Sequence, residues 1–570
     1  AVYLHVQDGD FLRNQGNARH LRVVPIPAYR GMIVDRHGDP LAISTPVDSV
    51  WINPGEFLGH YESELSRGVL SGDGAGAIQQ LAKTLRMGKD RLRTTINRRA
   101  DKEFIYIKRR LNPVEASKVL ALGIKGVYTQ REYRRYYPAG EVVAHITGFT
   151  NIDDQGQEGV ELAFNDWLQG SAGSKRVIKD RRGRIIEDVE SIKTMRSGKR
   201  LSLSIDKRIQ YLAYRELKAA IQLHKARSGS VVVLDNLTGE VLALVNQPSF
   251  NPNNRRNASA EQYRNRALTD VFEPGSTVKP FTISAALEDG RFKASTQINT
   301  SPGFMKLGRN TIRDTKDYGV IDVGRVITKS SNIGATKIAL ALDPDEIWSM
   351  FQKFGFGSIT ASGFPGESAG LMRHHYRWRD IERATFAFGY GLSVTPLQLA
   401  QAYSVLASDG ILRPITFLKR GADAPAGYAH ENSDQVIEGE QVISPLVAKK
   451  VRTMLETVVS KEGTGHLASV SNYRIAGKTG TVHKSIAGGY AEDRYVAVFA
   501  GMAPASRPRL VMAVMINEPS NGVYYGGEVA APVFSRVMEG ALRLLDIPPD
   551  NLPKKLPVIH TGLQMQRDAS

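Results

Sequence analysis

The stretch Phe272-Glu273-Pro274-Gly275-Ser276-Thr277-Val278-Lys279-Pro280 places a serine after a Pro-Gly pair and a lysine three residues after that serine. The residues 281–287 that follow are predicted to form a helix. If Ser276 opens this helix, Lys279 lies one turn on and faces the same side. A serine hydroxyl is a weak nucleophile until a base takes its proton, and a lysine amine with a lowered pKa can be that base. The stretch therefore predicts a serine–lysine pair, although chance also places a helix-capping serine near a surface lysine.

A second motif, Ser330-Ser331-Asn332, follows further along the chain. The Ser330 hydroxyl can relay a proton, and the Asn332 amide beside it can bind an acylamino group of a substrate. Tripeptides of this kind are common in loops. The motif therefore indicates a function only because it follows the Ser276 motif in the chain.

A third motif, Gly477-Lys478-Thr479-Gly480-Thr481, lies in a run that is predicted to be a strand. Lys478 offers a positive charge for a carboxylate or for lowering the pKa of Lys279. The two threonines offer hydroxyl donors. Gly480 would let a substrate backbone lie against the strand, as β-augmentation requires.

The ending Gly-Lys-Thr also occurs in phosphate-binding loops. Such a loop requires a glycine at position 472, where this chain has Asn472. The residues 473–476 are not glycine-rich either. The sequence therefore argues against nucleotide binding at this motif.

Composition limits the remaining classes of function. The chain has 570 residues, a hydrophobic fraction of 42%, a charged fraction of 23% and no cysteine. These values are typical of a globular protein and exclude disulfides and thiolate chemistry. The net charge of +17 indicates an anionic neighbour, but no nucleic-acid motif accompanies the basic residues 91–110. No apolar run is long enough to span a bilayer.

Ser-x-x-Lys, Ser-x-Asn and Lys-Thr-Gly in this order are typical of penicillin-binding proteins and serine β-lactamases. Longer segments also match. On them the chain resembles the class B penicillin-binding proteins, specifically the division-specific peptidoglycan D,D-transpeptidases (the penicillin-binding protein 3 family). The matching segments are Arg30-Gly31 with Asp35-Arg36, Arg135-Tyr136-Tyr137-Pro138, residues 156–161, residues 270–276, residues 380–385, Tyr390-Gly391-Leu392 and Tyr524-Tyr525-Gly526-Gly527.

The resemblance implies an α+β fold, in which a penicillin-binding transpeptidase domain, an antiparallel sheet flanked by helices, stands on an elongated N-terminal pedestal. The sequence is accordingly divided into a pedestal for dimerisation or docking at residues 1–195, a transpeptidase domain at residues 196–546 and a mobile tail at residues 547–570. Helices between antiparallel strands independently favour an α+β class. Residues 229–234 and 240–245, joined by a turn at 236–239, are predicted to form a hairpin, and Asp206 is predicted to cap a helix that runs to about residue 223. Residues 142–149 are predicted to form a strand.

The resemblance also implies a reaction. Lys279 takes the proton of Ser276, which attacks the penultimate carbonyl of a stem peptide ending in D-Ala-D-Ala. An amine of a neighbouring stem then attacks the acyl-enzyme, and a β-lactam acylates the same serine. The catalytic residues implied are Ser276, Lys279, Ser330, Asn332, Lys478 and Thr481, and the substrate-binding residues are Thr479, Gly480, Thr481, Tyr524 and Tyr525.

The same resemblance implies no metal and no organic cofactor. Its implied partners are peptidoglycan stem peptides, glycan strands derived from lipid-linked precursors, β-lactams and division proteins that include a separate glycosyltransferase. Nucleic acid is not among them. The implied location is the periplasmic side of the bacterial inner membrane, with a single N-terminal membrane helix that is not in this chain.

One segment departs from the family pattern. Val482 and His483 follow the third motif where the family has a small residue and then arginine or lysine, so contacts with β-lactams are expected to differ there. His483 is interpreted as a surface side chain and Glu273 as structural. From the residues alone, hydrolysis by a D,D-carboxypeptidase or β-lactamase and a non-catalytic β-lactam sensor remain alternatives to transpeptidation.

Overall fold

The computed structural model describes residues 21–65, 73–179, 185–425, 438–486 and 489–552. Strands and helices alternate irregularly, and among the described strand pairings all are antiparallel except that of β2 with β8. The α+β class predicted from the sequence is confirmed.

The described strands are β1 Leu21–Ile26, β2 Ile33–Val34, β3 Pro40–Ile52, β4 Ile105–Leu111, β5 Val127–Tyr136, β6 Gly173–Lys179, β7 Ile185–Lys193, β8 Leu201–Ser202, β9 Ser228–Asp235, β10 Val241–Gln247, β11 Gln297–Asn299, β12 Phe304–Leu307, β13 Asn310–Arg313, β14 Val320–Asp322, β15 Leu371–Met372, β16 Leu392–Ser393, β17 Ile411–Leu412, β18 Glu440–Gln441, β19 Ala476–Ile486, β20 Gly489–Ala503 and β21 Leu510–Asn517. The described α-helices are Pro54–Leu65, Asp73–Leu85, Lys89–Asn97, Pro113–Leu120, Ala144–Thr147, Gly159–Ala163, Asn165–Leu168, Lys207–Leu223, Ala260–Tyr263, Arg266–Thr269, Lys279–Asp289, Val323–Lys329, Asn332–Ala341, Pro344–Lys353, Asp380–Phe386, Pro396–Ala407, Pro445–Val459, Gly526–Val529 and Ala531–Leu544. Short 3-10 turns occupy Gly140–Val142, Gly275–Val278, His375–Arg377 and His466–Ala468.

A five-stranded antiparallel sheet in the order β10-β9-β21-β20-β19 forms the centre of the C-terminal part. Helices cover both of its faces, so the central strands are apolar at successive positions. In β9, Val231 and Val233 pack with the helices Lys207–Leu223 and Ala531–Leu544. Their neighbours, such as Val232, face the opposite core, because successive side chains of a strand point to opposite faces.

The hairpin predicted between residues 229–234 and 240–245 is present as β9 and β10, and its turn contains Gly239 at φ +69°. The predicted capping role of Asp206 is confirmed, since its carboxylate accepts from the backbone N–H of Arg208. Both structures depend on residues that are close together in sequence, and such structures can be predicted from the sequence.

The prediction of a strand at residues 142–149 is wrong. This segment forms the short helix Ala144–Thr147, in which the N–H of Thr147 donates to the carbonyl of Val143. Gly148 ends the helix at φ +69°, where a Cβ would lie 1.8 Å from the carbonyl oxygen of Glu158. The buried apolar residues of a single helical turn resemble a short strand in sequence, which explains the misassignment.

The N-terminal part contains a sheet in which β3 pairs with both β4 and β5, and β2 joins β3 to β8. The register of β3 on β5 runs from Ile43 opposite Tyr136 to Ile52 opposite Val127. The helices Asp73–Leu85, Lys89–Asn97 and Pro113–Leu120 close a separate apolar core against this sheet.

A buried ion network also holds the N-terminal part together. The carboxylate of Glu161 accepts from Arg30 Nε at 2.5 Å and from Arg135 Nε at 2.6 Å, and the side chains of all three are nearly inaccessible to solvent. These residues come from segments that are far apart in sequence. The network therefore fixes how β5, the residues before β2 and the helix Gly159–Ala163 meet.

The first residues of the predicted mobile tail are hydrogen-bonded to the C-terminal part. Asp550 accepts from the backbone N–H groups of Arg474 and Ser506, and the N–H of Asn551 donates to the carbonyl of Asn472. Residues 553–570 of that tail lie outside the described residues. Across the described ranges, no helix is both long and apolar enough to cross a membrane.

Candidate active site

The predicted nucleophile, Ser276, lies in the 3-10 turn Gly275–Val278, which leads directly into the helix Lys279–Asp289. Gly275 has φ +55°, and a Cβ there would lie 2.5 Å from Val482 Cγ2. The N–H of Gly275 donates to the carbonyl of Gly389. A glycine is therefore required immediately before the serine, both for the backbone conformation and for the close approach of β19.

Lys279 lies one turn after Ser276 and is completely buried. Its Nζ atom is 2.9 Å from Ser276 Oγ, 2.5 Å from the carbonyl oxygen of Ser330, 3.1 Å from Ser330 Oγ and 2.8 Å from Asn332 Oδ1. All of these partners are uncharged. The amine thus lies at the junction of the first two motifs.

These contacts favour a neutral amine as the base. A neutral lysine has two N–H bonds and one lone pair. The Ser330 carbonyl and Asn332 Oδ1 can only accept, so they take the two N–H bonds. The lone pair is then left for the hydroxyl proton of Ser276.

Burial lowers the pKa of Lys279 well below its ordinary value, and repulsion from Lys478 lowers it further, while Asp314 opposes the shift. Burial also lowers the pKa of Lys478 to about 7. Two buried lysines that share a site without an adjacent carboxylate cannot both stay protonated without a large cost in free energy. Both effects favour the neutral form of the Lys279 amine.

Ser330 connects the two lysines. Its Oγ atom lies 3.1 Å from Lys279 Nζ and 2.9 Å from Lys478 Nζ. The residue has φ +58° and ψ +37°, the left-handed conformation, and separates the helices Val323–Lys329 and Asn332–Ala341. This conformation, which is unfavourable for a serine, turns both the hydroxyl and the carbonyl towards Lys279.

Asp314 is a positioning residue that the sequence motifs do not reveal. Its carboxylate accepts from the backbone N–H groups of Asn332 and Ile333 and from the hydroxyl of Ser331. An acidic group at the N-terminus of the helix Asn332–Ala341 is favourable for the helix dipole. Asp314 directly follows β13, and no sequence motif indicates its role.

The third motif forms the middle of β19, with Lys478 opposite Ala500 and Thr481 opposite Ala497 of β20. The extended register excludes a phosphate-binding loop at these residues. Lys478 is buried, and its Nζ reaches the second motif through Ser330. The strand therefore brings all three motifs together.

The two threonines of this motif have protein partners. Thr479 Oγ1 lies 2.7 Å from Thr464 Oγ1, and Thr481 Oγ1 accepts from the N–H of Gly526 at 2.9 Å. Neither hydroxyl contacts Ser276 or Lys279 in the described structure. Thr481 links β19 to the loop that carries Tyr524 and Tyr525.

The structure shows a role for Gly480 other than the substrate contact predicted from the sequence. A Cβ at this position would lie 2.8 Å from the carbonyl oxygen of Pro274 and 3.0 Å from Thr277 Cγ2. The missing side chain therefore lets the nucleophile turn lie on β19. The close approach that Gly480 permits in the described structure is thus to the nucleophile turn. Its predicted contact with the substrate backbone stays a prediction.

Tyr524 and Tyr525 extend the strand edge with an aromatic surface. The Tyr524 ring stacks on Tyr495 at a centroid distance of 4.0 Å and contacts Tyr525 at 4.6 Å. Tyr525 is 52% exposed. Their described hydrogen bonds do not include the serine–lysine cluster, and their role in binding substrate stays a prediction.

Glu273 and His483 have the structural environments expected of them. Glu273 Oε1 accepts from the N–H of Gly391 at 2.8 Å and from the hydroxyl of Tyr490 at 3.1 Å. His483 is exposed, lies 2.9 Å through Nδ1 from the carbonyl oxygen of Ala491 and packs on Tyr495. Neither residue contacts the lysine pair.

Tyr403 supports the nucleophile turn from the core, and no sequence motif indicates this role. Its hydroxyl donates to the carbonyl of Thr277 at 2.8 Å, and its ring contacts Phe281. The residue is completely buried in the helix Pro396–Ala407. An otherwise unpaired carbonyl next to Ser276 is thereby satisfied.

The sheet is covered by helices on both faces, and the site holds two buried lysines, the nucleophilic serine and a second serine that connects the lysines. This combination defines a serine acyltransferase of the penicillin-binding type. Comparisons with known proteins extend this definition. Residues 229–539 match the penicillin-binding protein transpeptidase domain, and residues 25–203 match the penicillin-binding protein dimerisation domain. The chain therefore belongs to the penicillin-binding protein transpeptidase family.

Relatives from other bacteria match over nearly the full chain. Peptidoglycan D,D-transpeptidase FtsI of Escherichia coli strain K12 is 44% identical over 97% of this chain and 90% of its own length. A probable peptidoglycan D,D-transpeptidase, PbpC of Pseudomonas aeruginosa, is 43% identical over 97% of this chain and 93% of its own length.

Solved structures agree with the fold. The transpeptidase domain of Burkholderia pseudomallei penicillin-binding protein 3 is 46% identical and covers 62% of this chain and 98% of its own, with a TM-score of 0.55. Penicillin-binding protein 3 of Mycobacterium tuberculosis, complexed with aztreonam, is 27% identical and covers 92% of this chain and 98% of its own, with a TM-score of 0.69. The predicted arrangement of a transpeptidase domain with an N-terminal pedestal is confirmed.

Proposed function

We propose that this chain is a peptidoglycan D,D-transpeptidase that cross-links stem peptides during cell division through an acyl-enzyme on Ser276, and that β-lactams acylate the same serine. The observation that carries the proposal is the 2.9 Å contact between Lys279 Nζ and Ser276 Oγ, with the amine held by two carbonyl-type acceptors. The names of the relatives, which are peptidoglycan D,D-transpeptidases, support the reaction.

Acylation begins when Lys279 takes the hydroxyl proton of Ser276. The Oγ atom attacks the penultimate carbonyl of a stem peptide ending in D-Ala-D-Ala, and the carbon–nitrogen bond to the terminal D-alanine breaks. The leaving nitrogen needs a proton. Ser330 Oγ supplies it and is resupplied from the protonated Lys279, with Lys478 on its other side.

Deacylation follows the same proton path in reverse. The amine of a neighbouring stem attacks the ester carbonyl, Lys279 accepts a proton from that amine, and Ser276 Oγ leaves and is reprotonated. A new amide bond has then replaced the one that was broken. A β-lactam has its leaving nitrogen tied to the acyl group by a ring, which keeps it near the ester and slows this second step.

Further roles belong to the proposal. The backbone N–H groups of Ser276 and Thr481 hold the oxyanion, and the Thr479 and Thr481 hydroxyls bind the terminal carboxylate beside Lys478. Asn332 binds the stem amide through Nδ2, which also donates to the carbonyl of Arg313. Gly480, Tyr524 and Tyr525 line the path of the stem peptide.

The proposal includes the molecular setting. Residues 1–195 act as a pedestal for docking, residues 196–546 as the transpeptidase domain and residues 547–570 as a tail. The full-length protein is anchored by a single N-terminal helix and works on the periplasmic side of the inner membrane. Division proteins, among them a separate glycosyltransferase, supply the glycan strands.

Intact mass spectrometry after incubation with benzylpenicillin tests the nucleophile. We expect one covalent adduct, which Ser276→Ala abolishes and which the exposed control Ser295→Ala retains. Absence of an adduct on the folded wild-type protein would contradict the mechanism.

The acceptor is tested separately with a D-Ala-D-Ala peptide and an added D-amino acid or diamino peptide. A transpeptidase forms the exchanged or cross-linked peptide. Formation of free acid alone would show a hydrolase, and adduct formation without turnover of any peptide would show a β-lactam sensor.

A further inference from the structure

A second cavity lies between the N-terminal and C-terminal parts and shares no residue with the serine–lysine cluster. Its volume is about 540 Å³. The lining comes from the end of β4, the end of β5 and the segment after β10. The residues that line it are Arg110, Arg134, Arg135, Tyr137, Thr150, Pro252, Asn253, Asn254, Arg255 and Arg256.

Half of this lining is arginine, and none of the described lining residues is acidic. Arg135 is paired with Glu161, but that carboxylate is shared with Arg30. No ion pair is recorded for Arg134 or Arg256 with any described carboxylate. Asp154 and Glu161 therefore offset part of the charge of Arg110 and Arg135, whereas Arg134 and Arg256 have no ion pair among the described residues.

Two guanidinium nitrogens at this cavity are buried and lack a hydrogen-bond partner among the described residues: Arg110 Nε and Arg135 Nη2. Arg135 as a whole is only 4% exposed. An unsatisfied buried donor is costly, and a charged donor more so. Burial lowers the pKa of Arg110, and Arg134 and Arg109 add to this shift while Asp154 opposes it. An anion bound in the cavity would supply acceptors for these two donors.

The cavity walls are held in place before any ligand binds. Asn253 joins the two parts, because its side chain accepts from the N–H of Tyr137 and donates to the Tyr137 carbonyl. Arg255 donates to the carbonyl of Thr150, and its guanidinium lies 3.7 Å from the centre of the Phe149 ring. Arg110 Nη2 donates to the carbonyls of residues 151 and 152. Such preorganisation lowers the entropic cost of binding.

The number and origin of the arginines indicate the class of ligand. One planar carboxylate is satisfied by one guanidinium fork. Here guanidinium groups from three separate segments surround one volume, which suits an anion that presents oxygens in several directions. We propose that this cavity binds a phosphate or diphosphate group, either as a free anion or as the headgroup of a lipid. This site goes beyond the transpeptidase reaction and does not depend on it.

Calorimetric titration of the full chain with inorganic pyrophosphate tests the proposal. We expect saturable binding with one ligand per chain that weakens as ionic strength rises. The double variant Arg134→Gln/Arg256→Gln should weaken binding roughly 100-fold, since each lost charge-assisted contact is worth about tenfold or more. Both side chains are exposed and are not needed for packing, so the variant should keep its thermal midpoint.

The matched control is Arg98→Gln/Arg99→Gln, which removes the same charge from two exposed arginines elsewhere. It should bind pyrophosphate as the wild type does. A second titration with farnesyl diphosphate distinguishes the sources: tighter binding than pyrophosphate identifies a lipid headgroup, and equal binding identifies the free anion. Absence of saturable binding, or equal weakening in both double variants, would overturn the proposal.

Discussion

At the scale of single residues, the chemistry depends on the charge state of Lys279. Its pKa is lowered by burial first and by Lys478 second. The base form must be neutral, so acylation rises with pH through the pKa of Lys279 and is constant above it. A lowered pKa moves this rise to a lower pH than an ordinary lysine would give.

Removing the neighbouring charge should shift this profile. In Lys478→Gln the repulsion is lost, the pKa of Lys279 moves up, and the rise of the acylation rate moves to higher pH. The maximal rate should also fall roughly 10²-fold, because the contact to Ser330 is lost. Stopped-flow acylation by a chromogenic β-lactam across pH measures both effects.

The control for this profile is Lys207→Gln, which changes a lysine whose Nζ donates to Asp39 Oδ2 and has no described contact with the cluster. Its profile should match the wild type. A Lys478→Gln profile that keeps the wild-type midpoint would show that Lys478 does not tune Lys279.

At the scale of elements, β19 and the nucleophile turn form one unit because glycine stands where the two meet. Pro274 and Thr277 occupy the space that a side chain at Gly480 would need. Their contact sets the position of Ser276 relative to Lys478. Strand and turn therefore cannot be varied independently.

Gly480→Ala should push the turn away from the strand. The nearest atom is a main-chain oxygen at 2.8 Å from the new Cβ, which cannot rotate aside. We expect the acylation rate to fall roughly 10²-fold, since small misplacements of reacting groups have effects of this size. Penicillin acylation kinetics and the thermal midpoint measure the outcome.

Gly59→Ala is the matched change, since Gly59 lies exposed in the helix Pro54–Leu65 with nothing near its Cβ position. It should leave acylation unchanged and stabilise the chain by about 0.5–1 kcal/mol. Unchanged acylation in Gly480→Ala would contradict the coupling of strand and turn.

Which elements could be predicted follows from the range of the interactions. The hairpin of β9 and β10 and the helix capped by Asp206 depend on neighbours in sequence, and both were predictable. The helix at residues 144–147 was not, because one buried turn carries no periodic signal. The motif order identified the members of the site. The support from Asp314 and Tyr403 depends on contacts that only the folded chain creates.

At the scale of the whole molecule, polar contacts attach the N-terminal part to the C-terminal part. His37 Nε2 lies 3.0 Å from Asp206 Oδ2, and His145 Nε2 lies 2.8 Å from the carbonyl oxygen of Gln262. Within the N-terminal part, the Arg30–Glu161–Arg135 network links three distant segments. Loss of this network should therefore lower the stability of the whole pedestal.

Glu161→Gln should destabilise the chain by about 3–5 kcal/mol, since it leaves two buried guanidinium groups without their carboxylate. Denaturant unfolding followed by tryptophan fluorescence measures the loss. The folded variant should still be acylated at Ser276, because none of the three residues contacts the cluster.

The comparison is Glu190→Gln, which breaks the exposed pair with Arg176 and should cost at most about 1 kcal/mol. Equal unfolding midpoints for the two variants would show that the buried network does not hold the pedestal together.

The carbonyl oxygen of Ser330 has a consequence for adaptation. It is part of the main chain, so no mutation of residue 330 can delete it, although every mutation except one to threonine deletes the hydroxyl on Cβ. A population selected by an acylating inhibitor can therefore alter the proton relay at this position but cannot remove this acceptor from Lys279. We expect escape variants at residue 330 to react slowly with the inhibitor rather than to become inert.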